Sequence, residues 1–596
     1  MMRIPGGAKQ WSAIAPLLGW TLLGAAVRLW NLADKPPSSI EVASIGFGLG
    51  QSFATLPLDR LASVADLVAP LRLDPNLDLA QTLGRLASES THPPLFFGLM
   101  HGWLHWLTPA GDLVDLGTAR LLSVIFGLLA IPLGFWVAGW LAQKLVTTDD
   151  RPIAEVQAER QWLAHGVAAV LALSPYGVAI AQEARHYTLA VLWAIGAWAA
   201  TWVAAQRLSQ GRAPGGWLGL GWLLGNGLGL ATHYFSILGI AAQGAAIAGL
   251  AIGQGRSAGW GTLWTRSWRQ MGWIALGQMA IVAAWLPAMA GTSDSELTAW
   301  IRGDLSPTEW LLPPVRLLAW LVSMVLLLPV EQQPWVVVLV SAIALVALVA
   351  LAARTIVPVW LAGLRRLDSG WVPWWVLTVG AIGPLLLIVL LIYSGKGDLS
   401  VAPRYQFVHF PLVAIGMGLA LGQVAAGRGP VTIGPWRWPG RSIVAILLVA
   451  SLSGGLLVAS NWGFQKSRQT DRLWDWIDAR SPGPTLLVTE IETYAEVRST
   501  VAIAYEWQRR FDRRARDNAS AQPSPQFLML QQASDQADAS APLAAALGQA
   551  PRPLDVWLID FSPKLDLALI GCPRIPEPRS RTGYRLRHHR CTGPNR

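Results

Sequence analysis

The sequence predicts an all-α polytopic membrane protein that ends in a small soluble α/β domain. Of the 596 residues, 53% are hydrophobic and only 14% are charged, a composition typical of membrane proteins. Apolar segments of about 20 residues, the length needed to cross a bilayer, recur until residue 461. We therefore expect a transmembrane domain over residues 1–464, including an external loop 32–92 with interfacial helices, and a soluble extracytoplasmic tail over 465–596.

About eleven segments are predicted to be transmembrane helices, because each is apolar over roughly the required length. They are residues 11–31, 118–143, 161–182, 187–206, 214–231, 234–253, 271–290, 335–353, 372–394, 405–425 and 441–461. Two further segments, 93–108 and 313–330, are shorter, so the predicted total is about 11 to 13 helices. The 33 Trp residues agree with many helix ends, because Trp favours the interface between water and hydrocarbon.

The charges of the connecting loops predict the side on which each loop lies, because cytoplasmic loops are rich in Lys and Arg. Three arginine-rich loops are predicted to be cytoplasmic: residues 254–270, 354–370 and 426–441. Two acid-containing segments are predicted to be external: residues 32–92 and 291–308. Working along the chain then places residues 182–187, residues 395–404 and the tail outside. This assignment holds only if 93–108 and 313–330 do not both cross the membrane.

The tail has the pattern of a small α/β fold. Residues 471–477 have helical spacing of apolar side chains, whereas 485–489 and 555–560 are short apolar runs typical of buried strands. The chain's two cysteines, Cys572 and Cys591, form one disulfide if the tail is outside the cytoplasm, or remain free thiols. The net charge of +10 predicts no nucleic-acid partner, because the basic residues lie largely in short loops and the tail.

A polar cluster between two apolar segments is the clearest functional signal. Its residues are Gln182, Glu183, Ala184, Arg185, His186 and Tyr187. A charge in hydrocarbon costs on the order of several kcal/mol unless it is paired or hydrated, so we expect the cluster at a membrane boundary or in a polar cavity. Arg185 is a permanent cation that suits a phosphate group. The alternative interpretation is a helix end that carries ordinary interfacial charges.

Two carboxylates after the first predicted helix are candidates for a general base. Glu41 opens a segment, 41–54, that is expected to form a helix in the interface. Glu89 and His92 precede a Pro-Pro pair, which excludes helix before it and suits the first turn of the next helix. The alternatives are a solvated interfacial acid at Glu41 and a polar helix cap at Glu89.

Two further polar pairs lie at helix ends. His233 and Tyr234 separate two apolar segments, and they are either site residues or part of an interfacial belt. Arg404 and Tyr405 open another segment, and Arg404 is either a second phosphate ligand or an interfacial anchor. The sequence has no Gly-rich phosphate loop, no zinc-type Cys/His spacing and no hydrolase nucleophile elbow.

The order of these motifs resembles the bacterial glycosyltransferase family 39 of the GT-C superfamily, which is related to the protein O-mannosyltransferases and the aminoarabinose–lipid A transferases. The shared motifs are the acid of the first external loop, His-Pro-Pro-Leu at 92–95, Ala-Arg-Leu-Leu-Ser-Val-Ile-Phe-Gly at 119–127, Ser-Pro-Tyr at 174–176, Gln-Glu-Ala-Arg-His-Tyr at 182–187, Thr-His-Tyr-Phe at 232–235 and Arg-Tyr at 404–405. The resemblance is nearest to the cyanobacterial branch and covers the predicted membrane domain. It implies a GT-C-type helical bundle.

The resemblance also implies an enzyme of the bacterial cell envelope. Such an enzyme moves a sugar, with inversion, from a polyprenyl-phosphate donor to a lipid, glycan or protein acceptor on the outer face of the inner membrane, as in protein glycosylation. Its partners are then the lipid-linked donor, the acceptor and membrane lipids. The resemblance implies no metal or other cofactor, although it leaves a divalent cation open. Arg120 and Arg185 match basic positions of the family, which are expected to hold the donor phosphate or brace the cavity.

One position departs from the family pattern. The first-loop motif of the family is usually Asp-Glu, whereas this chain has Ile40-Glu41, so isoleucine replaces the expected catalytic base. Either Glu41 or Glu89 then acts as the base, or the chain is a slow or inactive relative. The residues expected around the substrate are His92, Arg120, Gln182, Glu183, Arg185, His186, Tyr187, His233, Tyr234, Arg404 and Tyr405.

Two other functions fit parts of the sequence. A catalytically impaired relative, which binds lipid-linked sugar or scaffolds an envelope complex, would explain Ile40. A transporter or flippase would have two similar halves with Gly- or Pro-broken helices at matching places, and no such repeat is evident.

Overall fold

The computed structural model describes residues 8–147, 151–291, 309–427, 431–433, 436–462, 468–516, 523–531, 536–562, 567, 571–578 and 580–592. Most of the predicted external segment 291–308 lies outside these residues. The helices are α1 (Ala8–Leu29), α2 (Ser39–Gly48), α3 (Val64–Val68), α4 (Leu79–Glu89), α5 (Leu95–Leu107), α6 (Leu116–Leu145), α7 (Ile153–Leu173), α8 (Pro175–Ala181), α9 (Tyr187–Ser209), α10 (Gly216–Thr232), α11 (Ser236–Ala258), α12 (Arg266–Ala290), α13 (Leu312–Ser323), α14 (Trp335–Leu364), α15 (Trp371–Leu391), α16 (Phe410–Ala425), α17 (Gly440–Ala459), α18 (Thr470–Asp478), α19 (Tyr494–Arg516) and α20 (Gln536–Gln549). The strands are β1 (Leu61–Ser63), β2 (Val431–Ile433), β3 (Trp436–Trp438), β4 (Thr485–Ile491), β5 (Gln526–Gln531), β6 (Leu554–Ile559), β7 (Arg574–Ile575) and β8 (Leu586–Cys591).

The chain divides into two compact units. The bundle unit comprises Met1–Leu32, Thr91–Phe96 and Arg120–Phe464, and the sheet unit comprises Ala33–Ser90, Phe97–Ala119 and Gln465–Arg596. Most of the first predicted external loop therefore belongs to the same unit as the C-terminal tail.

Each segment that was expected to cross the membrane contains helix. Within the described residues, seven helices are long and apolar enough to cross by themselves: α6, α9, α11, α12, α14, α15 and α17. Helices α7 and α8 pass the same test together, as one span bent by 53°. Helices α1 and α16 are shorter apolar helices, and α10 has 17 residues. The predicted fold class, a polytopic helical membrane protein with a small C-terminal α/β fold, is confirmed.

The two doubtful segments form short helices. Helix α5 has 13 residues and α13 has 12. At about 1.5 Å per residue they are about 20 and 18 Å long, which is less than the ~30 Å thickness of the hydrocarbon core. Whether α5 or α13 crosses the membrane stays a prediction, and so does the sidedness that depends on it.

A Ser-Pro pair divides the predicted segment 161–182 into α7 and α8. Helix is disfavoured for the residue before proline, and proline suits the first turn of a new helix. Ser174 caps α8, because its Oγ accepts a hydrogen bond from the amide of Gly177 (3.0 Å). The same hydroxyl donates to the carbonyl oxygen of Met324 (2.6 Å). The bend at this pair sets the direction of α8 and therefore the position of residues 182–187, which follow it.

Helices α7 and α16 pack backbone against backbone where both carry glycine. A Cβ atom at Gly166 would collide with the carbonyl oxygen of Gly418, and one at Gly422 would lie 2.5 Å from the Cα of Leu163. Gly418 and Gly422 are four residues apart and share one face of α16. Small residues at this spacing let membrane helices approach closely, which fixes the position of α16 in the bundle.

The sheet unit contains a six-stranded mixed sheet in the order β1-β5-β4-β6-β8-β7. Strands β5, β4 and β6 are parallel, and β4 and β6 are almost wholly buried, as their continuous apolar pattern predicts. The predicted helix 471–477 corresponds to α18, and the two predicted strands correspond to β4 and β6. Cys572 and Cys591 form a disulfide, one of the two options that the sequence left open.

Candidate active site

Three junctions between helices meet in the bundle unit. They are the turn between α8 and α9 (182–186), the turn between α10 and α11 (233–235) and the 3₁₀ segment before α16 (Pro403–Val408). Measured between ring centroids, His233 lies 4.8 Å from His186 and 4.8 Å from Phe407. Three of the predicted motifs, which are far apart in sequence, are therefore neighbours in space.

Gln182 and Arg28 form a buried frame behind this region. The Gln182 amide donates to the carbonyl oxygens of Arg28 (3.0 Å) and Trp30 (2.8 Å) at the end of α1. The Arg28 guanidinium donates to the carbonyl oxygens of Leu171 (2.8 Å) and Ala172 (2.7 Å) at the end of α7. Because the last carbonyls of a helix lack partners in the helix, Arg28 stabilises the end of α7. Gln182, a predicted substrate ligand, thus positions the backbone of the site.

Helix α6 holds the backbone of the polar cluster. Arg120 is completely buried and donates to the carbonyl oxygen of Leu32 (2.7 Å). One turn later, the Ser123 hydroxyl donates to the carbonyl of Arg185 (2.9 Å) and accepts from its amide (3.1 Å). Of the two roles expected for Arg120, the contact with Leu32 fits bracing.

Arg185 is oriented by His92. Nη2 of the guanidinium lies 2.7 Å from Nε2 of His92, and the guanidinium lies 5.7 Å from the ring centroid of Tyr187. Because a guanidinium only donates hydrogen bonds, Nε2 of His92 must accept, and the proton of this imidazole is on Nδ1. His92 therefore orients the cation without neutralising it.

His186 and His233 are buried among aromatic rings. His186 lies 5.3 Å from His92 and 5.9 Å from Phe96, measured between centroids. The amide of Phe235 donates to Nδ1 of His233 (3.0 Å), so Nε2 is the donor atom of that ring. A hydrogen bond from an N–H group to an ionised oxygen is about twice as strong as one to a neutral oxygen.

Arg404 and Tyr405 reach the same cluster from the segment before α16. The Arg404 guanidinium lies 5.4 Å from the ring centroid of Tyr405. Measured between ring centroids, His233 lies 6.3 Å from Tyr405, so the Arg404 guanidinium over that ring is near the imidazole. Glu183 lies in the same turn as Arg185, between α8 and α9. The cluster therefore gathers two guanidinium groups around an imidazole donor, an arrangement that suits a phosphate group.

Tyr234 faces a different neighbour. Its ring lies 6.0 Å from the ring of Trp285 in α12, and its side chain is half-buried. This position fits the interfacial belt that the sequence offered as the alternative for this motif.

Glu41 caps the helix in which it lies. Its Oε2 accepts hydrogen bonds from the amide (3.1 Å) and the hydroxyl (3.0 Å) of Ser38, as the third residue of a capping box. The side chain is completely buried. Glu41 thus has a structural role at the start of α2, and a catalytic role would come in addition to it.

Glu89 ends α4 beside an open cleft. Its Oε2 accepts a hydrogen bond from the hydroxyl of Ser52 (2.8 Å), and Ser52 lines a cleft of about 650 Å³ with Arg60 and Arg72. This volume is in the range of small-molecule sites. Glu89 is only partly buried, so it is better placed than Glu41 to meet a hydroxyl group that arrives from solvent.

Both carboxylates belong to the sheet unit, whereas Arg185 and its neighbours belong to the bundle unit. The structure therefore assembles the cationic part of the predicted site, and the meeting of this part with Glu41 or Glu89 stays a prediction. Within the described residues, no group of three or more His, Cys, Asp or Glu side chains is arranged to hold a metal ion.

Sequence reasoning missed three residues that position the cluster. Ser123 holds the backbone of Arg185, the Tyr176 hydroxyl donates to the carbonyl of Arg404 (3.0 Å), and Phe407 packs against His233. Ser123 and Tyr176 lie in motifs that carried the family resemblance, which was the available signal. Phe407 is a single apolar residue near the start of a predicted span and gives no signal in the sequence.

No protein-family model and no curated protein matches the chain. Solved structures do match it. ArnT from Cupriavidus metallidurans, bound to undecaprenyl phosphate, is 13% identical over 99% of this chain and 100% of its own, with a TM-score of 0.45. The oligosaccharyltransferase AglB from Archaeoglobus fulgidus, in complex with an inhibitory peptide and a dolichol-phosphate, is 12% identical over 84% of this chain and 64% of its own (TM-score 0.43). The arabinosyltransferase EmbB from Mycobacterium smegmatis is 12% identical over 87% of this chain and 44% of its own (TM-score 0.34).

Proposed function

We propose that the chain is a membrane glycosyltransferase that moves a sugar from a polyprenyl-phosphate donor to an envelope lipid, glycan or protein acceptor. The observation that carries this proposal is the contact of Arg185 with His92, whose ring lies 5.3 Å from that of His186, which in turn lies 4.8 Å from that of His233. Guanidinium groups bind phosphate through their planar fork, and the interaction is stronger where water is excluded. A phosphate carried on a lipid tail is the ligand that suits such a cluster at the ends of membrane helices.

The helix count supports a site on the outer face of a bacterial inner membrane. In the described residues, the seven long helices, the bent α7/α8 pair, and α1, α10 and α16 make eleven candidate crossings. If the three arginine-rich loops are cytoplasmic and α5 and α13 do not cross, alternating crossings predict that all three junctions of the cluster and the tail lie outside. The Cys572–Cys591 disulfide agrees with this assignment, because disulfides persist in oxidising compartments.

In the proposed reaction, an acceptor hydroxyl attacks the anomeric carbon of the sugar from the side opposite the phosphate. The new carbon–oxygen bond forms as the bond from this carbon to the phosphate oxygen breaks, which inverts the anomeric centre. Glu89 takes the hydroxyl proton, and the electron pair of the broken bond stays on the polyprenyl phosphate. Arg185 and the Nε2–H of His233 stabilise the charge that develops there. A general base of this kind contributes about 10²–10⁴-fold.

A second candidate function is a catalytically impaired relative that binds the lipid-linked sugar without transferring it. The position of Glu41 favours this function, because its carboxylate caps α2 while Ile40 stands next to it. Under this alternative neither the parent chain nor Ile40→Asp transfers sugar, although both retain the lipid-linked donor.

Transfer of radiolabelled sugar from a polyprenyl-phosphate donor in membranes tests the proposed function. We expect the parent chain to be active and Arg185→Ala to lose about 10²–10³-fold, since removal of one group that stabilises developing charge typically costs this much. The matched control is Arg212→Ala, which removes an exposed arginine from the loop between α9 and α10. Equal activity of Arg185→Ala and the parent would contradict the proposal.

A further inference from the structure

The central sheet of the sheet unit reverses its winding at strand β4. The chain runs from β4 through α19 to β5 on one side of β4, and then through α20 to β6 on the other side. All three strands are parallel, so their carboxyl ends lie at one edge of the sheet. In open α/β sheets, ligands bind in the crevice outside these carboxyl ends, at the point where the strand order reverses.

A cleft lies at this point. Its volume is about 330 Å³, at the lower end of the range for small-molecule sites. Thr489, Glu490 and Glu492 line it from the end of β4, and Asp560 and Ser562 line it from the end of β6. Two independent features, the sheet topology and an open cavity, therefore indicate the same place.

The walls of the cleft are polar and held in place. Arg468 forms an ion pair with Asp560 (2.9 Å), donates to the hydroxyl of Ser499 (2.8 Å) and lies 5.5 Å from the ring centroid of Tyr584. The amide of Arg585 donates to Oδ1 of Asp560 (2.8 Å). Groups held in this way bind a ligand at a smaller cost in side-chain entropy.

The lining selects against several ligand classes. Four carboxylates line the cleft (Glu490, Glu492, Glu496 and Asp560), against two guanidinium groups (Arg468 and Arg585). This balance repels an anion such as a phosphate, and an apolar ligand would leave the polar groups without partners. Carboxylates that accept hydrogen bonds, with hydroxyls and guanidiniums that donate them, match a neutral ligand with many hydroxyl groups.

We propose that this cleft binds a neutral saccharide and, resting on the proposed function, that the saccharide belongs to the acceptor. The cleft differs from the phosphate-type cluster of the bundle unit in the sign of its charge. It is also separate from the cleft beside Glu89, because the two share no lining residue.

Binding of the purified full chain to a printed array of neutral, amino-substituted and carboxylated oligosaccharides tests this inference. The blocking variant is Ser562→Trp, which fills the cleft from an exposed rim position, and Glu490→Gln removes a charge while keeping an acceptor for the Ser562 amide. The matched control is Ser524→Trp, at an exposed serine before the amino end of β5 and thus at the opposite edge of the sheet.

We expect the parent chain and Ser524→Trp to bind a set of neutral oligosaccharides, Ser562→Trp to lose at least about tenfold, and Glu490→Gln to be weakened. A tenfold loss corresponds to about 1.4 kcal/mol. Absence of glycan binding, preference for carboxylated glycans, or equal binding by Ser562→Trp would overturn the inference. The transfer-deficient Arg185→Ala should bind the same glycans as the parent, so failure of the cleft and failure of the proposed transferase are distinguishable.

Discussion

The two units of the chain carry polar sites of opposite character. The bundle unit gathers Arg185, Arg404 and the donor nitrogen of His233, whereas the open clefts of the sheet unit are lined by carboxylates, hydroxyls and arginines that are mostly paired or exposed. The first arrangement suits a lipid phosphate, and the second suits sugar hydroxyls and their protons. The two units therefore differ in the ligand chemistry that their polar groups match.

The largest expected effect separates the two carboxylates of the sheet unit. Glu89→Gln should lower sugar transfer by about 10²–10⁴-fold, because a general base of this kind contributes that much. Glu41→Gln should lower transfer by less than about tenfold, because glutamine at this position can still complete the capping box with Ser38. Initial rates in membranes that contain equal amounts of each variant give the comparison. Loss with Glu41→Gln and retention with Glu89→Gln would reverse the assignment.

The next effect tests the bundle unit through a positioning residue. His92→Ala removes the acceptor that orients Arg185, and loss of a hydrogen bond to a charged group costs about 1.5–3 kcal/mol, or roughly 10–100-fold in transfer. His92→Gln restores a neutral acceptor and should recover most of the rate. An equal loss of transfer rate in His92→Ala and His92→Gln would show that His92 acts through packing and not through its acceptor nitrogen.

The smallest effect concerns a carboxylate of the sheet unit outside both clefts. Burial alone would raise the pKa of Asp555, but hydrogen bonds from His588 (2.9 Å) and Arg590 (2.7 Å) lower it below its ordinary value. The stabilisation is therefore present above the unfolded carboxyl pKa of about 3.9 and is lost as the pH falls through the lower folded value. At pH 7, Asp555→Asn should reduce the local free energy of unfolding by about 1–3 kcal/mol without lowering the rate of transfer.

Hydrogen–deuterium exchange of the β6 amides in the full chain measures this difference, which should shrink towards pH 3. The control is Asp475→Asn, because Asp475 is mostly exposed in its pair with Arg510 and surface pairs contribute roughly 0–1 kcal/mol. If Asp555→Asn strongly lowered sugar transfer but left the hydrogen–deuterium exchange of the β6 amides unchanged, Asp555 would be a functional carboxylate and not a structural one.

The sequence predicts the helices well because a membrane span needs a long apolar run, which is a local signal. The Ser174-Pro175 break and the capping box from Ser38 to Glu41 are also local, so both could be read from the sequence. The capping pattern indicates a structural role for Glu41 that a functional interpretation of the carboxylate overlooks.

The remaining features depend on contacts between distant segments. Strand β1 has three residues, too few for a sequence pattern, and it pairs with β5 from the tail. The bonds of Gln182 and Arg120 to backbone carbonyls likewise have no signature, because the acceptors are present at every residue. Charge and polarity in an apolar context predict a site without distinguishing its ligands from its supports, so the sequence placed Gln182 around the substrate and left both phosphate binding and bracing open for Arg120.

Binding of a polyprenyl phosphate to the purified chain tests the central claim most directly. The claim is that the cluster around Arg185 holds the phosphate of the donor lipid. We predict saturable binding to the parent chain and to Arg212→Ala, and at least about tenfold weaker binding to Arg185→Ala, since one charge-assisted hydrogen bond is worth about 1.5–3 kcal/mol. Equal affinity of the parent chain and Arg185→Ala would contradict the account.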